Sequence, residues 1–148
     1  MDEELKKTIQ SLFSGQKLGV LATLKKGQPY PNLVAFAASN DLKRIIFATP
    51  VYTRKTSNIE VCDKVSILID NRKNRPSDFH EGVAVTALGT AEEIKADELE
   101  KFRALYLEKH PYMEDFVSSP TSTLYRIEVA TYIVVTEFQK VMEHHFGK

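Results

Sequence analysis

Tryptophan is absent from this chain of 148 residues, and there is one cysteine, Cys62. A single thiol excludes an internal disulfide and a cysteine-based zinc site. Net charge is also absent, because 20 basic residues face 20 acidic ones. That balance speaks against a nucleic-acid binder relying on bulk charge. No apolar run is long enough to span a bilayer. There is no Ser-His-Asp order, HExxH, Walker loop or GxGxxG, so common hydrolase, kinase and dinucleotide signatures are missing. Neither a repeat nor a low-complexity segment occurs. The acidic start Met1-Asp2-Glu3-Glu4 has none of the marks of a secretion signal, so the cytoplasm is the expected compartment and no membrane partner is expected.

What remains is ordinary for a globular protein: 43% hydrophobic and 27% charged residues. The length suits one domain over residues 1–148. Leu5, Ile9, Leu12 and Phe13 fall at helical spacing, and Gly15 is a natural stop. Residues 18–24 read as a buried strand and Lys25-Lys26-Gly27-Gln28 as a hairpin turn. A strand over 29–38 follows, with Pro29 and Pro31 marking its start as an edge or bulge. A third strand spans 43–49, so the first three form an antiparallel meander.

Thr53-Arg54-Lys55-Thr56 opens a helix expected to run to about Val61. Thr53 is the expected N-cap. Arg54 and Lys55 then sit at the positive end of the helix dipole, where acidic residues are favoured. An anion there removes the mismatch. Free amides, the hydroxyls of Thr53 and Thr56 and the two cations together make a phosphate cradle. The plainer alternative is a solvated basic turn. Cys62, late in this helix, reads as a small buried apolar residue.

Val65, Ile67 and Ile69 alternate in a fourth strand, and 71–81 is a polar loop with a second basic group, Arg72, Lys73 and Arg75. Residues 82–91 make a fifth strand of small side chains. Residues 96–109 are a helix with Leu99, Phe102 and Tyr106 inward, ended by Pro111. The last strand, 123–137, places Tyr125, Ile127, Val129, Thr131, Ile133 and Val135 on one face. Leu124, Tyr132 and Val134 occupy the other, so both faces need cover, the second from a partner subunit. His144 and His145 fall on a tail expected to be solvated. The class is mainly β with helices (α+β), a six-stranded antiparallel split β-barrel.

The order of these pieces resembles a family. A Leu-Ala-Thr-Leu strand, a Gly-x-Pro turn, Val-Ala-Phe, Phe-Ala-Thr, Thr-Arg-Lys-x-x-Asn-Ile, Val-Ser-Ile-Leu-Ile and Ala-Val-Thr-Ala-Leu-Gly-x-Ala follow one another across residues 12–138. This is similar to the pyridoxamine 5′-phosphate oxidase-like FMN-binding split barrels. The resemblance implies FMN as cofactor, bound at the interface of a homodimer, and a flavin-dependent oxidoreductase acting on a small molecule or electron donor. Arg54 and Lys55 match the phosphate-binding pair and Thr53 its neighbouring hydroxyl. Ala48 and Thr49 match the strand end beside the ribityl chain. Asn32, Leu33, Val34 and Ala35 match the strand whose backbone lies along the isoalloxazine. Gly82 and Val83 fall near a flavin-contacting glutamine, where glycine supplies no side chain. The oxidase proper ends in a basic, tryptophan-containing segment that holds pyridoxal phosphate. This chain ends Val-Met-Glu-His-His-Phe-Gly-Lys, which disfavours that substrate. No catalytic residue and no metal ligand is assigned. A flavin carrier or sensor without turnover, and a haem-binding split barrel, are the alternatives.

Overall fold

Alternating burial along each strand decides how this chain closes on itself. The computed structural model describes residues 1–147. Its elements are α1 (Glu3–Gly15), β1 (Leu18–Lys25), β2 (Gln28–Ala38), β3 (Arg44–Pro50), α2 (Arg54–Val61), β4 (Lys64–Asp70), α3 (Asp78–Glu81), β5 (Val83–Glu93), α4 (Ala96–Lys109), a 3-10 turn (Pro111–Met113), α5 (Glu114–Ser118), β6 (Ser122–Thr136) and β7 (Lys140–His145). The strands lie in the order β3-β2-β1-β4-β5-β6-β7, all antiparallel, and β3 also pairs with β6. That pairing closes β1 to β6 into the expected six-stranded barrel.

Two cores result. Leu21, Phe36, Phe47, Ile67, Val85 and Ile127 fill the barrel, and α1 adds Ile9 and Phe13 to them. A second cluster, Ala37, Ile46, Leu124, Phe102 and Tyr106, packs α4 on the outside of β2, β3 and β6. Burying each large side chain contributes on the order of 1.5–3 kcal/mol. The outer cover over the first half of β6 therefore comes from α4 rather than from a partner.

Within the elements themselves the structure also departs from the sequence reading at three points. First, the polar loop after β4 holds the short helix α3, set by Asp78, whose carboxylate accepts from the amides of Lys73 and Asn74. Second, the tail expected after residue 137 is a strand. Positive φ at Glu137 and Phe138 turns the chain, and β7 pairs with residues 131–136 of β6. His144 and His145 thus belong to a sheet edge. Third, the single face expected from Tyr125 to Val135 breaks at Ala130. Leu88 pairs with Thr131 but Gly89 with Val129, so one residue is bulged out. A one-residue slip reverses every later side chain. Tyr132 and Val134 point inward, and Thr131, Ile133 and Val135 turn out.

Candidate functional site

The barrel is split along β2. Its residues 28–35 pair with β1, yet only Phe36–Ala38 pair with β3. The first two thirds of β2 therefore have a strand on one edge only, among the described residues. Pro29 and Pro31, which cannot donate, lie on this stretch. The carbonyl of Leu33 accepts from the Asn32 side chain at 3.3 Å, and that of Ala35 from the Tyr106 hydroxyl at 3.2 Å. These two carbonyls lie two residues apart, the period with which backbone groups alternate between strand edges. Asn32 Oδ1 is buried without a donor. An orphaned acceptor beside an open strand edge is a place for a ligand with a hydrogen to give.

The second wall comes from α2. β3 ends at Pro50, Val51 donates to Thr121 O at 2.8 Å, and the chain turns into the helix. Thr53 caps it, as expected. Thr53 Oγ1 accepts from Thr56 N at 3.3 Å, and Thr56 Oγ1 accepts from Thr53 N at 3.0 Å. This capping box commits both hydroxyls. Thr56 is buried, and its proton has Val51 O and Thr53 O as acceptors, each at 2.9 Å. Its hydroxyl is not available to a phosphate, contrary to the sequence reading. The amides of Arg54 and Lys55, at the first two helical positions, have no acceptor among the described residues.

Neither cation has a carboxylate partner among the described residues. The Arg54 guanidinium lies 5.1 Å from the centre of the Tyr30 ring, which ties α2 to β2. Lys55 is half-buried, and burial lowers its pKa. An unpaired cation held partly out of water at a helix N-terminus gains most from an arriving anion. Two free amides, Arg54 and Lys55 together make a donor set that fits a phosphate.

The remaining site residues divide. Thr49 is buried, donating to Pro50 O at 3.1 Å and lying 3.5 Å from the Thr53 hydroxyl, so it stiffens the turn. Ala48 packs against the α4 cluster. Val34 is buried in the barrel core, whereas Leu33 is 64% exposed. Gly82 and Val83 do not join this group within one protomer. Gly82 ends α3, Val83 N donates to Asn71 Oδ1 at 2.7 Å, and both line a separate cleft of about 860 Å³ with Phe79 and Phe138. Asn58 had been visible only as one position of the Thr-Arg-Lys-x-x-Asn motif. It is 2% exposed and donates to Thr23 Oγ1 at 3.0 Å, and its Oδ1 has no donor.

Residues 5–136 match the family described as pyridoxamine 5′-phosphate oxidase. The chain belongs to that family. Its pyridoxamine 5′-phosphate oxidase-like fold recurs in solved structures at low identity. A haem binding protein from Mycobacterium smegmatis is 17% identical with TM-score 0.84, covering 98% of this chain and 59% of that one. A protein related to general stress protein 26, from Clostridium acetobutylicum, is 16% identical with TM-score 0.76, covering 99% and 97%. A FAD-binding protein from Mesorhizobium loti is 14% identical with TM-score 0.69, covering 90% and 94%. No curated protein matches the sequence. None of the described helices is long and apolar enough to cross a membrane.

Proposed function

We propose that this family member binds FMN and is a flavin-dependent oxidoreductase acting on a small molecule. The observation that carries the reading is the unpaired Arg54–Lys55 pair on two free helix amides, set beside the open edge of β2. In this reading Arg54 and Lys55 hold the phosphate. Thr53 and Thr49 keep the turn rigid, and the β2 backbone from Asn32 to Ala35 lines the ring. The flavin supplies the redox chemistry, and the protein binds it, orients it and shields it from water.

A homodimer completes the site. Leu33, Val20, Leu68, Thr86 and Ile133 lie in register on the outer face of five adjoining strands. Leu33, Leu68 and Leu88 are exposed there. A row of this kind, apolar except for Thr86, supports a subunit interface. The second copy brings Gly82 and Val83 of the partner subunit toward the ring. A rival reading replaces flavin by haem, on the strength of the fold shared with the mycobacterial haem binding protein.

The test is titration of Arg54→Ala/Lys55→Ala protein with FMN and with riboflavin, which lacks the phosphate. Each charge-assisted hydrogen bond contributes about 1.5–3 kcal/mol. FMN affinity is therefore expected to drop at least about 100-fold, with riboflavin unchanged. Equal losses for both flavins would remove the phosphate role. A protein that takes up haemin and no flavin would favour the rival.

A further inference from the structure

The cleft beside α3 has no part in holding the phosphate. It encloses about 860 Å³, within the ~300–1,000 Å³ common for small-molecule sites. Its floor is the outer face of β4, β5 and β6, where Leu68 lies opposite Thr86 and Ala84 opposite Val135. Ala84 carries a single methyl group, which leaves the floor low between Asp70 and Val135. Phe79 of α3 and Phe138 of the β6–β7 turn form the walls. Both rings are exposed, and they meet edge to face with centres 5.0 Å apart.

The walls are fixed in place. Asn71 Oδ1 accepts from Val83 N at 2.7 Å, and Asn71 Nδ2 donates to Glu81 O at 3.4 Å. Glu137 N donates to Gly82 O at 3.3 Å, which ties the turn carrying Phe138 to the start of β5. Gly82 lies so close to the Asp78 carbonyl that a Cβ would collide with it. Glycine there lets α3 fold back and carry Phe79 to the cleft. A site already shaped loses less freedom when a ligand arrives.

Two arginines and two aspartates share this lining. The aspartates are committed. Asp70 pairs with Arg72 at 3.0 Å. Asp78 accepts from the amides of Lys73, Asn74 and Arg75, which hold its carboxyl below the ordinary range. Arg75 is exposed and has no ion-pair partner among the described residues. A guanidinium is planar and meets a carboxylate with two parallel hydrogen bonds.

We infer that this cleft binds a flat aromatic carboxylate, its rings against Phe79 and Phe138 and its charge on Arg75, and that the small molecule on which the flavin acts belongs to this class. This rests on the flavin and homodimer reading above, in which Gly82 and Val83 of one copy approach the ring held by the other. The same two residues line the cleft, so a ligand seated there lies beside the flavin. Aromatic rings contribute both buried area and edge-to-face contacts to such a ligand. No bond is made or broken in the binding itself.

The probe is naphthoate, followed by its own fluorescence on the full chain. Naphthamide, which keeps the rings and lacks the charge, is the comparison. The wild type is expected to bind naphthoate at least about tenfold more tightly than the amide, the scale of one charge-assisted hydrogen bond. Arg75→Gln is expected to bring the acid down to the amide affinity and to leave the amide within about twofold. Circular dichroism checks that the variant is folded. Equal binding of acid and amide, or an unaltered preference in Arg75→Gln, would overturn the inference and leave the flavin reading standing. With FMN bound, naphthoate is expected to shift the visible absorption of the flavin; an unshifted spectrum at saturation would overturn the placement beside the ring. Phe79→Ser/Phe138→Ser is expected to weaken naphthoate at least about tenfold and to remain dimeric by light scattering. A monomer would instead assign the two rings to the subunit interface and overturn the inference. Naphthoate held through Arg75 by a protein that takes up no flavin would remove the flavin reading, and the substrate role with it.

Discussion

Lys109 and His110 show how burial sets individual charges. Both end α4. Lys109 Nζ donates to Phe13 O at 2.8 Å and sits 3.7 Å from the centre of the Phe36 ring. These contacts favour the ammonium, but burial is the larger influence and draws the group down from 10.5 to about 8. His110 is fully buried, with Nε2 2.7 Å from Phe36 O, and burial holds it below its ordinary 6.5. In each case the folded state gives up its proton more readily than the unfolded one. Stability therefore rises with pH across the interval between the folded and unfolded pKa. For Lys109 that interval runs from about 8 to 10.5; for His110 it lies below 6.5. The wild-type melting temperature is expected to climb relative to Lys109→Met between pH 8 and 10. A constant difference between the two proteins over that range would show that Lys109 does not titrate there. Acidification below 6.5 is expected to destabilise the wild type, with His110→Gln less affected.

Among the elements, β6 has the largest influence on the site's surroundings. It pairs with β5 along one edge and with β3 and then β7 along the other. The bulge at Ala130 lets one strand serve both, because the side chains change face where β3 gives way to β7. Gly89 makes the bulge possible: a Cβ there would run into the Glu128 carbonyl oxygen. Gly89→Ala is expected to destabilise the fold by about 2 kcal/mol, the scale of overpacking a closed core. The check is the denaturant midpoint at unchanged slope. A midpoint equal to wild type would mean that the strand relaxes around the methyl group.

For the whole molecule the decisive surface is the outer apolar row across β2, β1, β4, β5 and β6. Stable homodimers of this type bury about 2,000 Å² or more. Light scattering is expected to report a dimer at micromolar concentration. Leu68→Glu places a charge in the row and, on the proposed homodimer reading, is expected to give a folded monomer with weakened flavin binding. A wild type that scatters as a monomer would remove both the dimer and the role given to Gly82 and Val83.

Local chemistry made some of this legible in the amino-acid order. Apolar alternation with period two marked β4 and the first half of β6, apolar or small-residue runs bounded by turn residues marked the other barrel strands, and helical spacing marked α1 and α4. The run Thr53-Arg54-Lys55 announced a capped helix with two cations in its first turn, because capping depends on residues adjacent in sequence. Only the tertiary structure decided what depends on distant neighbours. Ala130 bulged because Gly89, forty-one positions earlier in sequence, leaves room for the Glu128 carbonyl. β7 formed because β3 stops short and leaves an edge of β6 open. Asn58 and Tyr30 joined Arg54 because α2 packs beside the hairpin of β1 and β2. Such contacts cross the chain between elements, and no periodicity within a single element records them.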